Sequence, residues 1–144
     1  MNPSKAKGTR GETAVVNYLR GNGFPTAERR ALAGAADRGD ILATVGVILE
    51  VKAGTSAQVA SPAVIERWMQ QTRAEAINAG VDVAALIVQR RGIGTSRPEH
   101  WTAHIDGGVI DGLCRSYLYR GLLVSMNLAD FVYFLRRAGH GDTL

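Results

Sequence analysis

Only one cysteine, Cys114, three histidines and 6% aromatic residues occur in this chain of 144. A lone thiol cannot close an intrachain disulfide, which points to a reducing compartment. No apolar run approaches the roughly 18 residues needed to cross a bilayer, and no signal-peptide pattern opens the chain, so a soluble, cytoplasmic protein is expected. Internal repeats and low-complexity linkers are also missing. The whole chain, 1–144, therefore reads as one domain with room for a real core. Histidine-based zinc binding is not expected at His100 and His104, because the stretch around Trp101 is strand-like and a four-residue step there spans roughly 13 Å. The few large aromatics (Trp68, Trp101, Tyr117, Tyr119) read as core or interface residues rather than platforms for stacked bases. The Arg38-Gly39-Asp40 tripeptide, an integrin ligand in secreted proteins, is a chance occurrence here.

Positive charge is in modest excess. Lys and Arg outnumber Asp and Glu by 17 to 13, a net charge of +4, and the pI of about 9.6 suits a polyanionic partner such as nucleic acid. The excess is clustered. Lys5, Lys7 and Arg10 lie on or before the first helix, Arg29, Arg30 and Arg38 precede an apolar stretch, and Arg90-Arg91 follow a later strand.

That apolar stretch holds the main chemical signal. Asp40 is followed by Ile41-Leu42-Ala43-Thr44-Val45-Gly46-Val47-Ile48-Leu49 and then Glu50-Val51-Lys52. The pattern predicts two strands folded into a hairpin around Val45 and Gly46. Such a turn sets position 40 opposite 50 or 51, and strand alternation puts Glu50 and Lys52 on one face. Two adjacent carboxylates repel and raise each other's pKa, and Mg2+, which prefers oxygen ligands, relieves that repulsion. The plainer alternative is an ordinary Glu50–Lys52 ion pair on a solvated strand, with Asp40 a turn residue.

The first helix adds a third carboxylate. The pattern predicts a helix from about Ser4 to Arg20, ended by Gly21 and Gly23. Glu12 shares its apolar face with Val15, Val16 and Leu19, and a carboxylate on a buried stripe needs a partner. That partner is either an arginine at the edge of the core or a metal ion held with Asp40 and Glu50.

Lys7-Gly8-Thr9-Arg10-Gly11-Glu12, Leu19, Gly23-Phe24, Gly39-Asp40-Ile41 and Leu49-Glu50-Val51-Lys52 together resemble the PD-(D/E)XK nuclease superfamily. Within it, the similarity is to the archaeal-type Holliday junction resolvases and their phage-encoded relatives, over about residues 5–90. The resemblance implies an α/β restriction-endonuclease-like core, α-β-β-α-β, with a mixed sheet flanked by helices. It further implies a metal-dependent endodeoxyribonuclease that cuts branched four-way DNA junctions in recombination and repair, in a prokaryotic or phage-infected cell, leaving 5′-phosphates. Glu12, Asp40, Glu50 and Lys52 would be catalytic. Glu12, Asp40, Glu50 and the Val51 carbonyl would hold Mg2+, with Mn2+ able to substitute. Lys5, Lys7, Arg10, Arg29, Arg30 and Arg38 would contact DNA phosphates. Cutting a near two-fold junction in pairs calls for a homodimer. One position departs from the resolvase pattern: where a Gly-Ser precedes the Asp strand, this chain reads Ala31-Leu32-Ala33-Gly34-Ala35-Ala36. That departure bears on the choice of DNA substrate and leaves the metal site untouched. The alternatives are another PD-(D/E)XK nuclease, acting on flaps, linear duplex or as a restriction-like enzyme, and a non-catalytic DNA-binding protein.

Beyond the hairpin, Gly54–Ala60 reads as a mobile loop, and Ser61-Pro62 open a helix that runs to Gly80. Its apolar stripe is Ile65, Trp68, Met69, Thr72, Ala76 and Ala79. Gln70 and Gln71 lie on this helix, where the superfamily often places a site-adjacent glutamine; an exposed pair is the other reading. Strands are expected over 83–89 and near 101–105, completing a core of about 5–106. In the extension 107–144, a strand over 117–126 and a helix over 128–137 are expected, packing on the sheet or widening a subunit contact.

Overall fold

A computed structural model describes residues 3–30 and 37–144, with side chains from residue 8 onward. The departing segment 31–36 and the side chains of Lys5 and Lys7 lie outside the described residues. The chain forms α1 (Pro3–Gly21), β1 (Glu28–Arg29), β2 (Ile41–Thr44), β3 (Val47–Lys52), α2 (Thr55–Gln58), α3 (Pro62–Ala79) and β4 (Val83–Val88). A 3-10 turn (Pro98–His100), β5 (Thr102–Asp106), α4 (Gly107–Cys114), β6 (Leu123–Asn127) and α5 (Leu128–Arg137) follow.

The strands make one mixed, six-stranded sheet in chain order, β1 to β6. Only β3 and β4 run parallel, joined by the α3 crossover, and every other neighbouring pair is antiparallel. A parallel pair cannot be joined by a tight turn, so the long helix between them is a topological requirement. Helices flank the sheet. Val15, Val16 and Leu19 of α1 and Leu128, Phe131, Val132 and Leu135 of α5 pack on one face, against Val47, Leu49, Val51, Ala85, Ile87 and Trp101. On the other face α3 supplies Met69 and Trp68, packed with Leu86 and Val88. Arg73 of α3 holds both Asp106 oxygens at 2.8 Å, tying the crossover helix to the end of β5.

Most sequence expectations for these elements hold. The first helix, the hairpin turning at Val45-Gly46, the Ser61-capped helix with left-handed Gly80 at its end, and the strands at 83–88 and 102–106 are all present. The last helix buries the anticipated apolar face. Two corrections and one addition arise beyond Lys52. The 54–60 segment contains the short helix α2, stapled by Ala57 beneath Met69 rather than left as a loop. The stretch 107–114 is a helix, with Ile110 buried in the main core. The expected strand over 117–126 starts only at Leu123, because Tyr119 N–H and the Ser116 hydroxyl are taken by the Asp111 carboxylate in a turn. Tyr117 accordingly lies 92% exposed, so of the core and interface readings only the interface one stays open for it.

Helix α1 meets the sheet tightly at Gly11. A Cβ there would overlap the Ala53 Cβ, just past Lys52. Glycine costs helix stability, and its presence lets α1 press against the end of β3. Gly11→Ala is expected to lower unfolding free energy by about 1–2 kcal/mol, since overpacking outweighs the gain in helix propensity. Urea denaturation measures it; a stabilised variant would show that α1 has room to move away.

Candidate active site

The hairpin register decides the site. Ile41 pairs with Leu49 and Leu42 with Ile48, so one residue further Asp40 stands beside Glu50. Gly39 makes that approach possible. It is buried, has φ +92°, and lies against Ile48, a left-handed backbone that side chains resist. Asp40 N–H then donates to the Leu49 carbonyl at 3.1 Å, and Asp40 Oδ2 accepts the Val51 N–H at 2.8 Å. The carboxylate is thereby anchored across the hairpin, with Oδ1 lacking a partner among the described residues.

Glu50 points to the α3 side of the sheet and is only 3% exposed. Lys52 lies on the same face, with Nζ 2.9 Å from Glu50 Oε1 and 5.8 Å from the Trp68 ring centroid, close enough for a cation–π contact. From α3, Gln71 Nε2 donates to Glu50 Oε1 at 3.3 Å and to Glu75 Oε1 at 3.0 Å. Gln71 thus reaches the site, whereas Gln70 faces solvent. Glu75 is itself 2% exposed. One oxygen of each carboxylate, Glu50 Oε2 and Glu75 Oε2, is buried with no hydrogen-bond partner.

The electrostatics follow from this crowding. Asp40 is pushed up to about 7, first by burial and then by the Glu50 charge, while its Val51 hydrogen bond and Lys52 pull it back. Glu50 is pushed up to about 8 by burial and by Glu75, against the downward pull of Lys52. Burial raises Glu75 as well, and the charges of Asp37 and Asp40 add to it. Several carboxyl groups face a single ammonium, and the site holds more potential negative charge than it neutralises.

Glu12 is placed differently from the other three expected site residues. Its Oε2 takes a 2.8 Å ion pair from Arg29 Nε, the arginine bridge at the core edge that the helix pattern left open. Its charge still reaches Asp40, where it contributes to the upward shift. Of the expected phosphate contacts, Arg29 is occupied by Glu12 and Arg30 Nη1 donates to the Arg38 carbonyl at 2.9 Å. Arg10 and Arg38 are exposed. Among the described residues, no three His, Cys, Asp or Glu side chains are grouped so as to hold a metal ion.

Glu75 is a site residue that the sequence motifs do not mark. It falls three residues after Thr72 and seven after Trp68, on the buried stripe of α3. A carboxylate on an apolar stripe needs a partner, and that signal is as strong at Glu75 as at Glu12.

Comparison with known proteins finds no family model, no curated protein and no solved structure that matches this chain.

A stability consequence follows from the raised carboxyls. Asp40 and Glu50 bind protons more tightly folded than unfolded, so between about pH 4 and about pH 8 the folded protein carries the extra protons. Their contribution is complete below the ordinary carboxylate range and is lost as pH rises through the folded values. In metal-free buffer the thermal midpoint should therefore fall from about pH 5 to about pH 8, and Glu50→Gln should flatten the fall. An identical pH profile in wild type and Glu50→Gln would show that the pair is not strained by charge.

Proposed function

We propose that the protein is a Mg2+-dependent, structure-selective DNA endonuclease of the PD-(D/E)XK type, acting on four-way junctions as a homodimer. The observation that carries this reading is Asp40 beside buried Glu50, with the Lys52 ammonium 2.9 Å from Glu50 on the same strand face. A buried glutamate whose charge raises the neighbouring aspartate, next to one lysine, makes a poor structural ion pair and a good cation site.

The residues suit Mg2+. This ion keeps several waters and is commonly held by one or two carboxylates together with substrate phosphate, so a full protein cage is not needed. The buried Glu50 oxygen without a partner and the elevated Asp40 both call for a positive charge. Asp40, Glu50 and the Val51 carbonyl would hold the ion, with Glu12 able to join through water if Arg29 turns to DNA. A bound Mg2+ supplies charge that polarises the scissile phosphate and makes water a better nucleophile near neutral pH.

The chain's own groups do the rest. The Val51 N–H fixes Asp40 in one rotamer, and Gln71 steadies Glu50 from the opposite side. Lys52 Nζ is part-exposed, so it can hold the attacking water and offset charge that grows on the phosphate oxygens. The water oxygen bonds to phosphorus as the P–O3′ bond breaks. The departing 3′ oxygen takes up a proton, and the phosphate stays on the 5′ end.

Asp40→Ala and Glu50→Ala are expected to abolish Mg2+-dependent cleavage while DNA binding persists. Lys52→Ala should lower kcat by on the order of 100-fold or more. The assay compares a four-way junction, a flap and plain duplex, with and without Mg2+. Full activity in the Asp40 or Glu50 variant removes the site assignment. Preferential cutting of the flap or the duplex moves the substrate away from junctions and keeps the chemistry. A monomeric mass at cleaving concentrations argues against paired cutting.

A further inference from the structure

Beside the carboxylate site lies a second concave surface that the reaction above does not use. Parallel pairing sets Lys52 against Val88, so the chain leaving β4 starts at the same end of the sheet as Lys52. Gln89 locks the two exits together. Its N–H donates to the Lys52 carbonyl at 2.9 Å, its Oε1 accepts the Gly54 N–H at 2.8 Å, and its Nε2 donates to the Ile93 carbonyl at 2.9 Å. Trp101 Nε1 holds that same carbonyl at 3.1 Å. A largely buried glutamine thus braces a loop that would otherwise have little reason to keep one shape.

The braced loop, the start of α2 and the first half of α1 enclose an open cleft of about 360 Å³, whose lining includes Arg10, Gly54, Thr55, Gln89, Gly94 and Thr95. That lining contains no carboxylate and no large apolar side chain. Arg10, Arg90, Arg91 and Arg97 are all exposed, and none forms an ion pair or side-chain hydrogen bond among the described residues. Arg10 lines the cleft, and Arg90, Arg91 and Arg97 are carried on the loop that supplies Gln89, Gly94 and Thr95 to its wall, so basic residues border a polar cleft whose lining has no carboxylate to pair with them.

We propose that this cleft binds the phosphodiester backbone of a nucleic-acid strand as it leaves the Asp40–Glu50–Lys52 site. The proposal rests on the nuclease reading for its direction, because the strand must pass Lys52 to be cut. Guanidinium forks bind phosphate oxygens in paired hydrogen bonds, and small residues such as Gly54 and Gly94 let a backbone approach closely. The cleft adds a phosphate contact to Arg29 and Arg30, which in the free protein are engaged with Glu12 and the Arg38 carbonyl. It also brings in Arg90 and Arg91, which sequence order places far from the hairpin.

The test measures binding of labelled four-way junction and single-stranded DNA to the full chain by fluorescence anisotropy without divalent cation, across a range of salt. Arg10→Ala and the double variant Arg90→Ala/Arg91→Ala are compared with Arg137→Ala, an exposed arginine at the end of α5. Each cleft variant should bind several-fold more weakly, and its salt slope should fall by about 0.7–0.9 for every phosphate it no longer touches. Arg137→Ala should bind as wild type. In Mg2+ the weaker cleavage by the cleft variants should appear in KM more than in kcat, since the reacting groups are intact. Equal weakening in all three variants would reduce the effect to net charge, and unchanged binding in the cleft variants would remove the cleft from the binding path. Wild-type protein that binds DNA through the cleft but never cleaves it would overturn the nuclease chemistry and leave the cleft standing.

Discussion

Everything at the site depends on one constraint: two carboxyl groups held side by side at the open end of a hairpin. The β2–β3 register gives Asp40 no choice but to face Glu50, and the Val51 N–H secures it there. A pair of this kind is unfavourable in a folded protein unless a proton or a cation sits nearby. In this chain Lys52 and Gln71 supply partial answers, an ammonium and an amide donor, while Glu75 adds a further carboxyl group. Neither donor cancels the surplus. That residual demand for positive charge is the physical basis for reading the hairpin as a cation site.

The two faces of the sheet divide the labour. The α1 and α5 face is almost wholly apolar, built from Val15, Leu19, Leu49, Trp101, Phe131 and Leu135, and it anchors β3 from behind. The α3 face has a much smaller apolar cluster around Met69 and Leu86. Glu50 and Lys52 of β3 emerge on that face, beside Glu75 and Gln71 of α3. Placing the strained carboxylates over a thin core, with a large one beneath, keeps their energetic cost from threatening the fold. The β4 exit, braced by Gln89, extends the same end of the sheet into a basic surface.

How much of this could be read from the residues varies along the chain. The hairpin was legible because its alternation, its central Gly46 and its terminal charges all agree, and agreement across levels is what makes a local reading dependable. The Ser61-Pro62 start and Gly80 end of α3 were legible for the same reason. The 107–126 region was not, since a run rich in Gly, Val, Ile and Leu suits either a strand or a buried helix segment. Asp111 settles it by gathering Ser116 and Tyr119 into a turn, a contact across five to eight residues that no periodicity reveals. Glu12 stood between two readings, and the partner that resolves its hydrogen bonding, Arg29, lies 17 residues away.

Sequence alone determined α1, the β2–β3 hairpin, α3, β4 and α5, and the face on which Glu50 and Lys52 would lie, because helix and strand periodicities are local properties of the backbone. It therefore placed Glu50 and Lys52 together and put Asp40 within reach. Tertiary structure decided the company these groups keep. Glu75 and Gln71 arrive on a helix more than 20 residues downstream, and Arg90 and Arg91 arrive through the parallel pairing of β3 with β4. Those encounters depend on how the crossover packs, and side-chain packing between distant segments leaves no periodic trace in the chain.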